Sequence, residues 1–207
     1  MSIFHYFSKD EDKRAKFIFN LIAPFYGMLD KAIQQEYVKM AKLLNENISL
    51  SNLSVLDVGS GTGAWIAAIQ EFRLSDAWGV DFSKKMVVQA KKNHPEINFE
   101  QCSGNDLTKF EDNSFDIVTA SFVLHGMKEN KRADILSEMK RVAKKYVVIH
   151  DFYKKTSPAI MVLEFLERSD YINFKKGFEQ EMNTFFTQTK IIPSKNGNGL
   201  YVGMKDK

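Results

Sequence analysis

The order of apolar and polar residues changes character twice along the chain and divides it into three zones. In roughly the first fifty residues the apolar positions recur at helical spacing. Ala15–Ala23 and Lys31–Leu44 are the two helices this predicts, the second with Ile33, Tyr37, Met40, Ala41 and Leu44 on one face. Pro24 and Gly27 divide them. From Leu53 the pattern becomes one of short β-branched runs, and Leu53–Val58, Ala77–Asp81, Ile97–Gln101, Phe115–Ala120 and Tyr146–His150 are the strand candidates. Ala64–Phe72, Lys84–Asn93 and Glu129–Val142 lie between them as helices, with Ser83 placed to cap the second and Pro95 just past its end. Such alternation predicts a parallel sheet covered by helices on both faces. The third zone is helical from Pro158 to about Phe186, then carries two apolar runs, Thr189–Ile192 and Leu200–Met204. Lys195-Asn196-Gly197-Asn198-Gly199 joins them as the turn of an antiparallel hairpin.

The fold expected is therefore α/β: a doubly wound, mostly parallel, seven-stranded sheet with an antiparallel C-terminal hairpin and an N-terminal helical cap. Residues 1–50 form the cap and 51–207 the core, the latter split into a ligand-binding half, 51–150, and a substrate-side half, 151–207. The first zone carries Phe4, Tyr6, Phe7, Phe17, Phe19, Phe25 and Tyr26, too many aromatics for so short a segment to bury alone. It is expected to close as a lid over the rest, with permanent padding of one sheet edge as the alternative.

Composition narrows the partners. A chain of 207 residues that is 44% hydrophobic has ample material for one core. Its 29 Lys and Arg against 26 Asp and Glu leave a net charge of +3, far from the density of a dedicated nucleic-acid binder. Lys140, Arg141, Lys144 and Lys145 cluster where the Glu129–Val142 helix ends, so they are read as complementing its dipole. The single Cys102, expected as a buried thiol, forbids an internal disulfide, and with four scattered histidines it excludes a Cys-rich zinc site. A reducing, cytoplasmic setting follows. Met1–Arg14 is too acidic for a signal peptide, and Asn20, Pro24 and Gly27 break the apolar stretch Phe17–Leu29, so no membrane span is expected.

The candidate chemistry lies where the first strand turns into its helix. Val55-Leu56-Asp57-Val58-Gly59-Ser60-Gly61-Thr62-Gly63 spends three glycines there. Gly59 suits a tight turn, Gly61 a close backbone approach to a ligand, and Gly63 the packing of helix on strand, with free N–H groups at the helix start facing the cleft. Gly59 to Ala64 also nearly meets the dinucleotide fingerprint. Asp57, two positions ahead of the first glycine, separates the readings, because a carboxylate there repels a pyrophosphate and attracts an ammonium. Asp81 ends the second strand where it can accept hydrogen bonds from a ribose diol, and Phe82 can lie against a base. Asp116, at a strand start, is assigned to the fold.

These segments, with Gly79-Val80-Asp81-Phe82-Ser83, Asn105-Asp106-Leu107, Asp112 to Val118 and Arg141-Val142 leading into Tyr146 to Asp151, resemble the class I S-adenosylmethionine-dependent methyltransferases. The branch is that of the ubiquinone and menaquinone C-methyltransferases, and the resemblance is strongest over residues 53–150. It implies a Rossmann-like fold, S-adenosyl-L-methionine as cofactor and S-adenosyl-L-homocysteine as product. It also implies that Asp57, Gly59, Ser60, Gly61 and Gly63 hold the methionine end and Asp81 the ribose. Phe82, Asn105, Asp106 and Leu107 surround adenine, with either Asn105 or Asp106 at its amine, and Ser121 belongs to the same site. Tyr26, in Ile22 to Asp30, resembles an aromatic residue that closes over the cofactor in small-molecule methyltransferases.

Methyl transfer from a sulfonium needs alignment and exclusion of water, and some acceptors also need a base. His125, after the fourth core strand, is the candidate; His150 and Asp151 end the fifth on the same edge of the sheet. The fourth strand ends Ala120-Ser121-Phe122, without the Asn/Asp-Pro-Pro-aromatic motif that grips a planar amine. A small-molecule acceptor is what remains, with no metal, no nucleic acid, and a monomer or homodimer both open. Aromatic residues of the tail, Phe152, Tyr153, Phe165, Tyr171, Phe174, Phe178, Phe185 and Phe186, either roof an apolar acceptor pocket or are plain core, the latter favoured. The competing readings are an NAD(P)-dependent oxidoreductase, a noncatalytic cofactor-binding domain and an RNA methyltransferase.

Overall fold

The computed structural model describes residues 34–154, 158–167 and 169–206. The proposed lid, Tyr26 included, lies outside them apart from a helix at 34–47, here α1. In chain order there follow β1 (Ser54–Val58), α2 (Ala64–Gln70), β2 (Asp76–Asp81), α3 (Lys84–Asn93), β3 (Asn98–Gln101) and β4 (Phe115–Ser121). A short 3₁₀ turn at Leu124–Gly126 leads to α4 (Glu129–Val142), β5 (Ala143–Phe152), α5 (Pro158–Glu167), α6 (Tyr171–Phe185), β6 (Gln188–Pro193) and β7 (Asn198–Met204). Together the strands form one seven-stranded sheet in the order β3-β2-β1-β4-β5-β7-β6. Strands β1–β5 pair in parallel, while β7 pairs antiparallel with both β5 and β6, so that β7 alone runs against the rest. The fold is thus the Rossmann-like, doubly wound one expected.

Strand alternation distributes the core over both faces. Leu56, Val58, Val147 and Ile149 point to one side and pack with Leu136 and Met139 of α4 and Phe174, Phe178 and Met182 of α6. Val55 and Val148 point to the other, against Met40, Ala41 and Leu44 of α1, Trp65 and Ile69 of α2, and Val87 and Ala90 of α3. Helix α1 therefore shares the core of the sheet, and its Glu36 carboxylate accepts hydrogen bonds from Ser194, Asn196 and Asn198 at the β6–β7 turn.

Two boundaries differ from the sequence reading for identifiable reasons. The tail helix is two helices, because the break before Tyr171 gives polar side chains better partners than a continuing helix. Ser169 Oγ accepts from the Tyr171 N–H, and the Asp170 carboxylate accepts from Arg132 at 2.8 Å. Strand β5 also starts at Ala143, where α4 ends without a loop, and runs ten residues, since β4 on one side and β7 on the other supply partners along it. Cys102 is half-buried rather than buried, its thiol donating to the Asp106 carbonyl. The basic group at the end of α4 has specific partners besides the helix dipole: Lys140 donates to the Phe185 carbonyl of α6, Arg141 pairs with Glu138 and Asp112, and Lys145 pairs with Asp116 of β4.

Candidate functional site

The switch point of the sheet falls between β1 and β4, and the candidate residues gather on the carboxyl edge beside it. Asp57 sits there 1% exposed. Its Oδ1 is buried with no hydrogen-bond partner, and the same holds for Ser60 Oγ. Burial, with Asp81 nearby, pushes the Asp57 carboxyl well above the usual carboxylate range. An unpartnered carboxyl of this kind costs free energy unless something supplies a cation or a donor.

All three glycines of the loop have positive φ, and the space around them differs. A Cβ on Gly63 would lie 2.6 Å from the Phe99 ring and 2.9 Å from the His94 ring, and one on Gly59 would lie 2.6 Å from Val123. Around Gly61 there is nothing within 4 Å. Gly63 therefore serves helix–strand packing, and Gly61 fronts open space suited to a ligand.

Asp81 organises this loop. One carboxylate oxygen accepts the Gly61 N–H at 2.9 Å and the other accepts the Ser83 N–H at 2.8 Å, each keeping acceptor capacity for an outside donor. Burial raises its pKa and the two backbone donors oppose that. The N–H groups of Gly59, Ser60 and Gly63 go to the carbonyls of Val80 and Ser60, so the loop offers fewer free donors than the sequence implied. The backbone satisfies itself, and the buried carboxyl of Asp57 is what is left without a partner.

Phe82, beside Asp81, is 65% exposed. Asn105 and Asp106 lie in an exposed turn held by a bridge between Ser103 and Asp106, where Asn105 Oδ1 accepts from Ser103 and Asp106 Oδ1 from Thr108. Leu107 is fully buried in the core and its N–H is spent on Glu138, so it lies beneath that turn. Ser121 Oγ is 2.9 Å from Nδ1 of His150. His150 is fully buried among Tyr37, Trp65 and Phe122, and burial lowers its pKa to about 4, so at neutral pH it is an uncharged wall residue. Asp116 accepts from the Ser54 N–H and hydroxyl, as its assignment to the fold required.

His125 takes a different position, on the opposite face of β5. Its Nδ1 is 2.7 Å from Oδ1 of Asp151, a carboxylate with no exposure, and its Nε2 is 3.6 Å from Oε1 of Glu164 on α5. Phe122, Phe152 and Phe174 ring it at 4.8–6.4 Å between centroids. Phe122 itself has φ 52, a left-handed backbone rare for a bulky residue and held by an N–H bond to the His150 carbonyl. Of the tail aromatics, Tyr171, Phe174, Phe178 and Phe186 are core, while Phe165 is 78% exposed. Sequence reasoning passed over Glu164; the available signal was an acidic residue in the middle of the otherwise apolar run Pro158–Leu166. Among the described residues no group of three or more His, Cys, Asp or Glu is arranged to hold a metal ion.

Comparison with known proteins gives this edge a context. Residues 55–146 match a family model described as a methyltransferase domain. The demethylmenaquinone methyltransferase of Lactococcus lactis is 32% identical over 145 residues, 66% of this chain and 57% of that protein. That of Renibacterium salmoninarum is 33% identical over 129 residues, 61% and 53% of the two. The chain thus spans a little over half the length of these relatives. Among solved structures, the magnesium protoporphyrin IX methyltransferase of Synechocystis, with bound S-adenosylhomocysteine, superposes with a TM-score of 0.62 at 16% identity over 84% of this chain and 83% of that one. A SAM-dependent methyltransferase from Aquifex aeolicus gives 0.59 at 20% identity over 80% and 89%.

Proposed function

With residues 55–146 a methyltransferase domain of the class I fold, we propose that the chain transfers a methyl group from S-adenosylmethionine to a small-molecule acceptor. The observation that carries this reading is the buried, unpartnered Asp57 carboxyl beside the open flank of Gly61. A dinucleotide pyrophosphate would meet that carboxyl as a like charge, whereas an amino-acid ammonium would satisfy it. The residues present therefore fit the cofactor. Bound there, S-adenosylmethionine would supply a methyl group already activated by its sulfonium charge.

In this reading Asp57 accepts from the ammonium and Asp81 from the ribose hydroxyls, while Gly59, Ser60, Gly61 and Gly63 shape the surface between them. Phe82 covers one face of adenine, and Asn105 and Asp106 meet its edge above Leu107. Ser121, His150 and Phe122 wall the region where the methyl group would stand, and neutral His150 adds no competing charge near a sulfonium. His125 belongs to the acceptor side, as does Tyr26 if the first zone closes as a lid. Quinol-type acceptors are supported by the names of the curated relatives, and no helix among the described residues is long and apolar enough to cross a membrane. A cytoplasmic location accords with that.

Calorimetry with S-adenosylmethionine, S-adenosylhomocysteine and NAD, in excess chelator, tests the reading. Binding of the first two and not the third is expected, and Asp57→Asn should weaken both. Preference for NAD would favour the oxidoreductase alternative instead.

A further inference from the structure

Glu164 is 6% exposed, and while one of its oxygens faces His125 at 3.6 Å, the other, Oε2, is buried without a hydrogen-bond partner. On the far side of the same imidazole Asp151 accepts from Nδ1 at 2.7 Å and from the His125 backbone N–H at 3.3 Å, which fixes the ring. The imidazole therefore stands between two buried carboxyl groups, in a shell of Phe122, Phe152 and Phe174. An imidazolium in that position is stabilised from both sides, and it leaves the cluster with one negative charge to place.

Among the described residues, Lys175 of α6 donates to the Tyr171 hydroxyl at 3.2 Å, and the other ionisable groups near His125 are neutral or paired elsewhere. Tyr171 of α6 faces both carboxylates, and burial together with Glu164 and Asp151 pushes its phenol up to about 12, so it stays neutral. Arg132 of α4 lies 5.8 Å from the Phe174 ring, but its guanidinium is committed to Asp170 and Glu181. His150, at the end of β5, is buried on the opposite face and uncharged.

We propose that Asp151, His125 and Glu164 form a relay in which Glu164 is the base that takes a proton from the methyl acceptor, a neutral molecule bearing a hydroxyl group. This rests on the methyl-transfer reading above. Asp151 positions His125, and His125 faces Glu164 across 3.6 Å inside an apolar shell. The proton leaves the acceptor's hydroxyl oxygen for Oε2 of Glu164. The electron pair left on the acceptor forms the bond to the methyl carbon, and the pair of the breaking carbon–sulfur bond stays on sulfur. An acceptor that arrives already anionic would be repelled by the same carboxylates, so the relay selects for the neutral hydroxyl form.

The test uses the full chain with Glu164→Gln, which keeps shape and removes charge, and Glu164→Asp as the conservative rescue. Nitrogen-15 spectra of the imidazoles are followed against pH, with His125 identified by its loss in His125→Gln. The His125 midpoint should fall by about one pH unit in Glu164→Gln and be partly restored in Glu164→Asp. With 1,4-dihydroxynaphthalene as the acceptor probe, Glu164→Gln should lower kcat by about 100-fold or more and flatten the acid limb of its pH profile. Its affinity for S-adenosylmethionine should stay within about twofold of the wild type. A midpoint that does not move overturns the relay even if the rate falls, because Glu164 would then be a structural support. Wild-type protein that binds no S-adenosylmethionine overturns the methyl-transfer reading and the relay with it. Wild-type binding, with Glu164→Gln equal to wild type in titration, overturns the relay alone.

Discussion

The carboxyl edge of β1 and β2 and the region around α4 are both rich in buried charge, and they treat it in opposite ways. Around α4 the two arginines have their partners: Arg132, 1% exposed, pairs with Asp170 at 2.8 Å and with Glu181, and also donates to the Met127 carbonyl. Arg141 gathers Glu138, Asp112 and the carbonyls of Leu107 and Phe110. At the β1–β2 edge Asp57 Oδ1 and Ser60 Oγ are buried and unpartnered. Satisfied polar groups hold elements in register and ask for nothing further. Unsatisfied ones store a cost that a ligand can relieve, which is why the second region reads as a site and the first as scaffold.

The contrast is broken most severely at Arg132. Arg132→Ala leaves Asp170 and Glu181 facing each other without their cation at the start and along the length of α6, and should lower unfolding free energy by about 3–5 kcal/mol. Urea titration measures this directly. A loss below about 1 kcal/mol would mean that the α4–α6 pairing is solvated and that the region is not the scaffold described. At the other pole, Asp81→Ala removes a carboxylate that binds the loop through Gly61 and Ser83 and is placed to meet a ribose diol. Cofactor affinity should fall by about 2–4 kcal/mol in calorimetry, with a smaller change in stability. Unchanged affinity would remove the ribose assignment.

Two glycines of one loop give a finer version of the same contrast. Gly63→Ala combines φ 87 with a Cβ pressed on Phe99 and His94, so it should cost about 1–3 kcal/mol of stability. Gly61→Ala has room for its methyl group at φ 53, so about 1 kcal/mol of backbone strain is the whole structural cost, while the open flank proposed for the cofactor is occupied. Melting and binding measured side by side should therefore rank the two variants in opposite order.

Much of this was legible in the sequence because period and punctuation are local signals. Every strand of the sheet announced itself by a short apolar or β-branched run, and Lys84–Asn93 and Glu129–Val142 were bounded by their patterns at the observed residues. The position of the Gly59–Gly63 loop with Asp57 and Asp81 was equally visible, since all of them lie at strand ends. What the sequence hid depends on contacts between distant elements. The break between α5 and α6 is set partly by Arg132 of α4, 38 residues before Asp170. Glu164 acquires meaning only when α5 lays it against His125, 39 positions earlier in the numbering and on another element. The basic residues closing α4 looked like a dipole complement because their partners, Asp112 before β4, Asp116 in β4 and the Phe185 carbonyl at the end of α6, are distant in sequence and brought to them by the fold.

The smallest expected effect is the most discriminating, and it concerns Asp57 itself. Its carboxyl is raised well above 3.8 in the folded protein by burial and by Asp81, so the native state holds that proton to a higher pH than the unfolded chain does. Between the unfolded value, near 4, and the higher folded one, the unfolded chain binds fewer protons, and stability falls as pH rises. Below pH 4 both states are protonated and no penalty is present; above the folded value the penalty is complete. Asp57→Asn cannot ionise, so it escapes this loss. The free variant should be more stable than wild type at pH 7–8, with the advantage shrinking to nothing by about pH 4. Urea titrations of ligand-free protein across that range measure the difference. With saturating S-adenosylmethionine the order should reverse, because an ammonium against Asp57 stabilises the wild-type folded state and the amide cannot attract it equally. If the free variant gains nothing at any pH, the carboxyl is already satisfied, and the distinction between a strained binding edge and a relaxed scaffold fails at its sharpest point.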